Sequence, residues 1–168
     1  MTHSMGTPFP ARTLQGALLG ALLWIASAHG SPGELPDISS GWRFRVGDHA
    51  SWKNATMDDS DWRQIQVGRY WEEQGLSNYN GYAWYRIGFR VPGELREHPE
   101  FRLHQALRVE LGKIDDVDHA WFNGTSIGAT GSFPDAYEPA WLTPRAYQIP
   151  ADLIRWDDEN VLAIRVYD

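Results

Sequence analysis

The sequence predicts an all-β protein, a jelly-roll β-sandwich. Short segments in which apolar and polar residues alternate follow one another along the chain, separated by turn residues such as Gly, Pro and Asn. After residue 28, no segment has ten or more residues of helical periodicity, apart from a short piece near residues 94–101. Many closely spaced strands without a long helix are typical of sandwiches and jelly rolls.

The first 28 residues have the features of a secretory signal peptide. Arg12 supplies the positive charge, and residues 17–26 form an apolar run that is short for a membrane span. Ala26-Ser27-Ala28 is an A-x-A cleavage site, so we expect the mature chain to begin at His29. An uncleaved membrane anchor is the alternative. The sequence therefore predicts a secreted or periplasmic protein with no membrane attachment after signal cleavage.

Length and composition limit what kind of domain the chain after the signal can form. A Pro/Gly-rich linker over 29–38 leads into one domain over 39–168, too small for a (β/α)8 barrel of about 250 residues. We therefore expect any catalytic barrel to lie outside this sequence. The absence of cysteine excludes disulfides, and a net charge of −7 argues against nucleic acid as a partner.

The first strands of the domain are predicted from alternation over 42–46, 64–67 and 83–91. The last of these is the clearest, and Pro92-Gly93 ends it. Its expected core-facing residues are Tyr85, Ile87, Phe89 and Val91, and its expected solvent-facing residues are Arg86 and Arg90.

The same alternation predicts strands over 107–111, 117–122, 147–149 and 162–166. Asn123-Gly124 is the preferred pair for a two-residue type I′ hairpin turn. One helical turn is expected over 151–155, after Pro150. The chain stops at Asp168 directly after the last strand, which favours a fragment of a longer polypeptide.

Several motifs in sequence order carry a resemblance to a known family. They are Asp58-Asp59-Ser60-Asp61-Trp62, Gly81-Tyr82-Ala83-Trp84-Tyr85-Arg86, Leu111-Gly112-Lys113-Ile114-Asp115-Asp116-Val117-Asp118, Trp121-Phe122-Asn123-Gly124, and Pro144-Arg145-x-Tyr147-x-Ile149-Pro150. Together they resemble the galactose-binding-like jelly roll of glycoside hydrolase family 2, the β-galactosidase and β-glucuronidase group. The residues of these motifs resemble those of the equivalent domain of sialate O-acetylesterases more closely still. The resemblance covers residues 39–168.

This resemblance implies an accessory role rather than catalysis. The expected function is a non-catalytic carbohydrate-binding domain of a secreted hydrolase, with a carbohydrate or glycoconjugate ligand and a catalytic domain missing from this chain as partners. The resemblance implies no catalytic residue at the matching positions of this chain, and it implies no cofactor. One alternative is an extracytoplasmic sensory module of a bacterial signalling receptor, and a third is that the chain is itself an enzyme.

Aromatic residues are the best candidates for sugar contacts, because the C–H face of a pyranose stacks on aromatic rings. Eight tryptophans follow residue 28, and those in or beside strands are expected to be structural: Trp42, Trp62, Trp84 and Trp121. The predicted ligand-binding residues are Trp71, Tyr79, Tyr82, Trp141 and Arg145. Core packing stays open as the alternative for the aromatic ones.

Signals of catalysis in the sequence have an unsuitable context. Residues 124–128 match G-x-S-x-G, but the motif requires a helix after the serine, and another short strand is expected here. Glu72-Glu73 and Asp115-Asp116 are adjacent pairs, and adjacent strand residues point to opposite faces. Neither pair is therefore expected to act as a glycosidase pair.

Metal binding has only weak candidates. Asp115, Asp116 and Asp118 could supply oxygen ligands for calcium, but they lack the glycine-containing loop of an EF-hand. Capping of a strand entry and hydrogen bonds to loop amides are the favoured roles. No histidine pair has zinc-ligand spacing, so no metal site is predicted.

Overall fold

The computed structural model describes residues 35–168 and the backbone of Leu22–Trp24. The strands are β1 (Leu22–Trp24), β2 (Arg43–Val46), β3 (Arg63–Gln64), β4 (Tyr82–Arg90), β5 (Ala106–Lys113), β6 (Val117–Phe122), β7 (Thr125–Thr130), β8 (Pro144–Pro150) and β9 (Glu159–Tyr167). Short 3-10 turns span Ala50–Lys53, Glu72–Gln74, Gly93–Glu97 and Ala151–Leu153, and helix α1 spans Pro99–His104.

Two antiparallel sheets form the layers of the sandwich. The larger sheet has the order β3-β2-β4-β9-β6-β7, and the smaller one has the order β1-β5-β8. At the centre of the larger sheet, β4 and β9 pair along nine residues each, from Tyr82↔Tyr167 to Arg90↔Glu159. The predicted all-β jelly-roll sandwich is confirmed.

The strand β1 falls within the predicted export signal. Its backbone pairs with the edge of β5, from Leu22↔Glu110 to Trp24↔Arg108. The rest of the predicted signal, and residues 29–34 of the predicted linker, lie outside the described residues. Within the described part of the chain, no helix is long and apolar enough to cross a membrane. Signal cleavage and export stay predictions.

The core lies between the two sheets and follows the predicted alternation. The expected inward-facing residues are buried, including Tyr85, Ile87, Phe89 and Val91 in and after β4 and Leu107, Val109 and Leu111 on β5. Trp42 is fully buried and its indole N–H donates to the carbonyl of Ile38 at 2.7 Å. Burial of indole surface with a satisfied N–H is the ordinary use of a core tryptophan.

Arg86 was expected to face solvent, and this prediction is wrong. Its side chain is 1% exposed, and its Nε donates to a carboxylate oxygen of Asp59 at 2.7 Å. The outer face of β4 is covered by residues 48–62. There Trp52 and Trp62 pack edge to face, and Trp84 stacks on Trp121 in a second apolar cluster. Alternation identifies the two faces of a strand, but it does not show that a loop covers the second face.

Three local predictions have mixed outcomes. Asn123 and Gly124 have φ angles of 51° and 86°, so the two-residue hairpin turn with φ > 0 at both positions is confirmed. The strand expected over 64–67 is instead the two-residue β3, Arg63–Gln64, which shares only Gln64 with the predicted range. The helical piece near 94–101 is divided between the 3-10 turn Gly93–Glu97 and α1, because Pro99 starts a new helix.

Candidate functional site

Three carboxylates meet at one end of the sandwich and form the acidic cluster Asp115, Asp116 and Asp168. One oxygen from each carboxylate lies within 4.8 Å of the other two. The first two residues occupy the turn between β5 and β6, and the third follows β9. They meet because β6 pairs with β9, and because the N–H of Asp116 donates to the carbonyl of Tyr167 at 2.8 Å.

The expectation that Asp115 and Asp116 point apart is wrong. It assumed alternating strand geometry, whereas both residues lie in a turn. Their carboxylates are close enough to share a hydrogen bond. This arrangement concentrates ionisable carboxyl groups at a half-buried position.

Burial and crowding disfavour ionisation in the acidic cluster. Burial, the hydrogen bond with Asp116 and the charges of Asp116 and Asp168 raise the pKa of Asp115 to about 8. Burial and the charges of Asp116 and Glu72 raise the pKa of Asp168 to about 7. Both shifts follow the general rule that desolvation and like charges destabilise a carboxylate.

Four aromatic side chains, Tyr82, Phe133, Tyr137 and Tyr167, form an aromatic patch beside the acidic cluster. The Tyr137 hydroxyl donates to a carboxylate oxygen of Asp116, and its ring packs edge to face on Tyr167, with 5.7 Å between centroids. The Tyr82 ring packs edge to face on Tyr167, with 4.8 Å between ring centroids, and it stacks on Phe133, with 5.8 Å between centroids. The patch therefore links the acidic cluster to the loop 131–143.

Arg145 holds that loop in place. Its Nε donates to Asp118 at 2.7 Å, and both side chains have no solvent exposure. Its Nη1 donates to the carbonyls of Ala140 and Thr143, and its Nη2 donates to the carbonyl of Asp116 at 2.8 Å. The other oxygen of Asp118 accepts from the Tyr147 hydroxyl at 2.7 Å. One buried guanidinium thus joins the loop to the strands beneath it.

The outer surface of the loop is exposed and partly apolar. Tyr137 is 45% exposed, Trp141 47% and Leu142 59%. These three side chains lie within six positions of one another. An exposed aromatic group on a loop that is anchored by a buried ion pair is a suitable surface for an apolar or saccharide partner.

The five predicted ligand-binding residues have different surroundings. Trp71 is fully buried and its indole N–H donates to the Tyr85 hydroxyl, and Arg145 is buried against Asp118. Tyr79 is half-buried and donates to the carbonyl of Tyr82 at 2.6 Å. Tyr82 is half-buried in the aromatic patch, and Trp141 is exposed. Ligand binding by all five stays a prediction.

The weak calcium candidates are only partly brought together. Asp115 and Asp116 belong to the acidic cluster, whereas Asp118 is bound by Arg145 and Tyr147. The third carboxylate of the acidic cluster belongs to Asp168, which the sequence analysis did not identify. Only the pairing of β9 with β6 could have indicated it, because 52 positions separate it from Asp116.

The G-x-S-x-G segment lies in the β6–β7 hairpin, as its unsuitable context predicted. Ser126 is exposed in β7, and its hydroxyl lies 2.7 Å from Nε2 of His119, a contact that the sequence did not reveal. The imidazole stacks on Trp121, with 3.8 Å between ring centroids. Burial, Arg165 and Lys53 lower the pKa of His119. Within residues 35–168, no carboxylate is hydrogen-bonded to His119, so the pair lacks the orienting group of a catalytic triad.

A separate cleft of about 570 Å3 lies near the start of the domain. It is lined by Ser39, Ser40, Gly41, Gln64, Ile65, Gln66, Val67, Arg69 and Gln74. The Gln74 amide bonds the backbone of Gln66 in both directions, which fixes one wall. None of the five predicted ligand-binding residues lines this cleft.

The described sheets and loops define a jelly-roll sandwich with an acidic and aromatic end. No family model matches the chain. Over 150 residues the chain is 29% identical to the β-galactosidase BoGH2A of Bacteroides ovatus, a match that covers 81% of this chain and 16% of that enzyme. The chain therefore spans about a sixth of the length of the curated relative that it matches.

Solved structures with the same fold include further enzymes of this kind. The β-glucuronidase of Bacteroides uniformis superimposes with a TM-score of 0.61 at 20% identity, over 80% of this chain and 14% of that one. A glycosyl hydrolase family 2 member from Bacteroides cellulosilyticus superimposes with a TM-score of 0.58 at 24% identity, over 77% of this chain and 17% of that one. The relatives and structural neighbours are thus glycoside hydrolase family 2 proteins, as the motifs suggested. The closer resemblance to sialate O-acetylesterases stays a prediction.

Proposed function

We propose that this chain is a non-catalytic accessory domain of a secreted carbohydrate-active hydrolase of the glycoside hydrolase family 2 type. The observation that carries the proposal is the extent of the similarity. It spans 81% of this chain but only 16% of the matched β-galactosidase. That ratio supports a role as one domain of a larger enzyme whose chemistry lies in another domain.

The exposed loop 131–143 is the proposed carbohydrate contact. Trp141 is 47% exposed and Tyr137 is 45% exposed, and both have ring surface free to stack on a sugar. Arg145 anchors the loop from beneath, so the rings are presented on a fixed backbone. A preorganised surface loses less conformational entropy on binding than a free loop does.

Isothermal titration of the chain with galactosides, glucuronides and sialosides tests carbohydrate binding. We expect one of these classes to bind, and Trp141→Ala to weaken that binding at least tenfold. Leu103→Ala is the matched control, because Leu103 is 72% exposed on α1 and lies outside the loop. A sialoside preference would favour the esterase parent, and a galactoside or glucuronide preference would favour the glycosidase parent.

The reading frame beyond Asp168 tests the accessory role separately. A further β-sandwich and barrel, or an SGNH-type esterase domain, would support it. Transmembrane helices followed by a kinase, phosphatase or cyclase domain would overturn it in favour of the sensory module. Absence of carbohydrate binding together with absence of any encoded hydrolase domain would also overturn it.

A further inference from the structure

The acidic cluster lacks a neutralising partner of its own. Within residues 35–168, no Lys, Arg or His forms an ion pair with Asp115, Asp116 or Asp168. Arg145 acts on Asp115 through space, but its own hydrogen bonds go to Asp118 and to backbone carbonyls. Glu72 adds a further negative charge near Asp168. When its carboxyl groups are ionised, the cluster therefore carries more negative charge than its surroundings compensate.

Asp168 provides a second and independent observation. The residue is only 7% exposed, and its Oδ2 is buried without a hydrogen-bond partner. Its carboxylate is aimed into the cluster, since one of its oxygens lies within 4.8 Å of oxygens of Asp115 and Asp116. A buried carboxylate oxygen without a donor is strongly unfavourable, and a bound cation removes that penalty.

The donor set selects the class of cation. All three side chains offer carboxylate oxygens, and no His or Cys belongs to the cluster. Hard cations prefer such oxygens, whereas zinc prefers nitrogen and sulfur. Calcium accepts flexible, irregular coordination completed by water, whereas magnesium requires near-octahedral geometry at about 2.0–2.1 Å. Two neighbouring turn residues and one residue that follows a distant strand suit the less demanding ion.

We propose that Asp115, Asp116 and Asp168 form a calcium site at this end of the sandwich. The ion would join the β5–β6 turn to the end of β9. The Tyr137 hydroxyl, which donates to Asp116, would orient one ligand and couple the site to the exposed loop 131–143. Three carboxylates completed by water correspond to the weaker range of protein calcium sites, with Kd on the order of 10⁻⁴ to 10⁻³ M.

Titration and thermal unfolding of the full chain test the site. For this experiment a few residues are added after Asp168, so that no terminal carboxylate adds charge beside the cluster. After chelator treatment, we expect CaCl2 to bind at one site and to raise the melting temperature. At a calcium concentration of 100 times Kd, the folded-to-unfolded ratio should rise about 100-fold, because a ligand of the folded state stabilises it by the factor 1 + [L]/Kd.

Two substitutions distinguish metal binding from a structural role. Asp115→Asn and Asp168→Asn should each weaken calcium binding at least tenfold and remove the calcium-dependent shift in melting temperature. In chelator, both variants should melt at or above the wild-type temperature, because each removes repulsion among the carboxylates. Asp152→Asn is the matched control: it makes the same charge change at an exposed residue outside the cluster, and should keep the full calcium response.

The proposal has defined contrary outcomes. Absence of a calcium response in the wild-type chain at 10 mM would overturn it, and this holds even if a variant fails to fold. Full calcium responses in both asparagine variants would overturn the assignment of the ligands. Magnesium acting as strongly as calcium at equal concentration would overturn the choice of ion.

Discussion

Arg145 and Asp118 form an ion pair at 2.7 Å in which neither side chain has any solvent exposure. Both members of the pair also form further hydrogen bonds. Arg145 donates to three backbone carbonyls besides, and Asp118 accepts from the Tyr147 hydroxyl at 2.7 Å. A buried ion pair depends on such additional bonds, because the desolvation of both charges opposes folding.

Removing one partner of this ion pair should strongly destabilise the folded domain. Arg145→Met leaves the Asp118 carboxylate buried without its cation, and we expect the free energy of unfolding to fall by about 3–5 kcal/mol. Arg108→Met is the control, because Arg108 pairs with Glu110 at an exposed position and should cost at most about 1 kcal/mol. Urea unfolding followed by tryptophan fluorescence measures both. Equal stabilities of the two variants would contradict the structural role of Arg145.

Arg86 should hold residues 48–62 against the sheet. It donates to Asp59 and to the carbonyls of Trp52, Asn54 and Met57, so Arg86→Leu removes the guanidinium donor from all four acceptors. If local opening becomes easier by about 1.4 kcal/mol, proteolytic cleavage in this segment should accelerate about tenfold. Limited chymotrypsin digestion with mass spectrometry locates the cuts.

The control for this digestion is Arg45→Leu. Arg45 forms an exposed ion pair with Asp61 in the same segment, at 3.1 Å. Its loss should leave the cleavage pattern close to that of the wild-type chain, because exposed pairs contribute little. Similar acceleration in both variants would show that surface charge, and not the buried guanidinium, holds the segment.

The G-x-S-x-G serine is expected to have no catalytic role. Ser126→Ala removes a hydroxyl that contacts His119 at 2.7 Å on an exposed strand face. We expect no difference between this variant and the wild-type chain in turnover of chromogenic acetyl esters or glycosides. The unfolding free energy should change by at most about 0.5 kcal/mol, as for ordinary surface substitutions. Esterase activity that disappears with Ser126→Ala would instead make the chain an enzyme.

The second glycine of the same motif should matter for packing. A Cβ added at Gly128 would lie 2.2 Å from the Tyr147 ring, whose hydroxyl binds Asp118. Gly128→Ala should therefore displace Tyr147 and destabilise the domain by about 1–3 kcal/mol, the range for overpacking. Comparing the melting temperatures of Gly128→Ala and Ser126→Ala shows whether this segment contributes through the close packing of its glycine or through the hydroxyl of its serine. Wild-type stability of Gly128→Ala would show that the hairpin shifts to accommodate the methyl group.

The sequence predicted the sandwich well because alternation is a local signal. The inward-facing residues of β4 and the Asn123-Gly124 turn could be identified from neighbouring residues alone. Burial of Arg86 could not be predicted, since it depends on a covering segment about 30 positions earlier. The same limit explains the acidic cluster. Asp115 and Asp116 were candidates, but the third member depends on strand pairing with β9, and Asp118 was already bound by Arg145.

The export signal leads to a prediction about β1. The three residues Leu22–Trp24 pair with the edge of β5, yet they lie before the predicted cleavage site at Ala28. N-terminal sequencing of the exported chain should begin at His29. Because β1 adds only a three-residue edge pairing, a chain starting at His29 should fold with the same circular dichroism spectrum as the uncleaved chain. Its unfolding free energy should lie within about 1 kcal/mol of that chain's, since a short edge strand adds few contacts. A membrane-bound product that retains Met1 would instead indicate an uncleaved anchor.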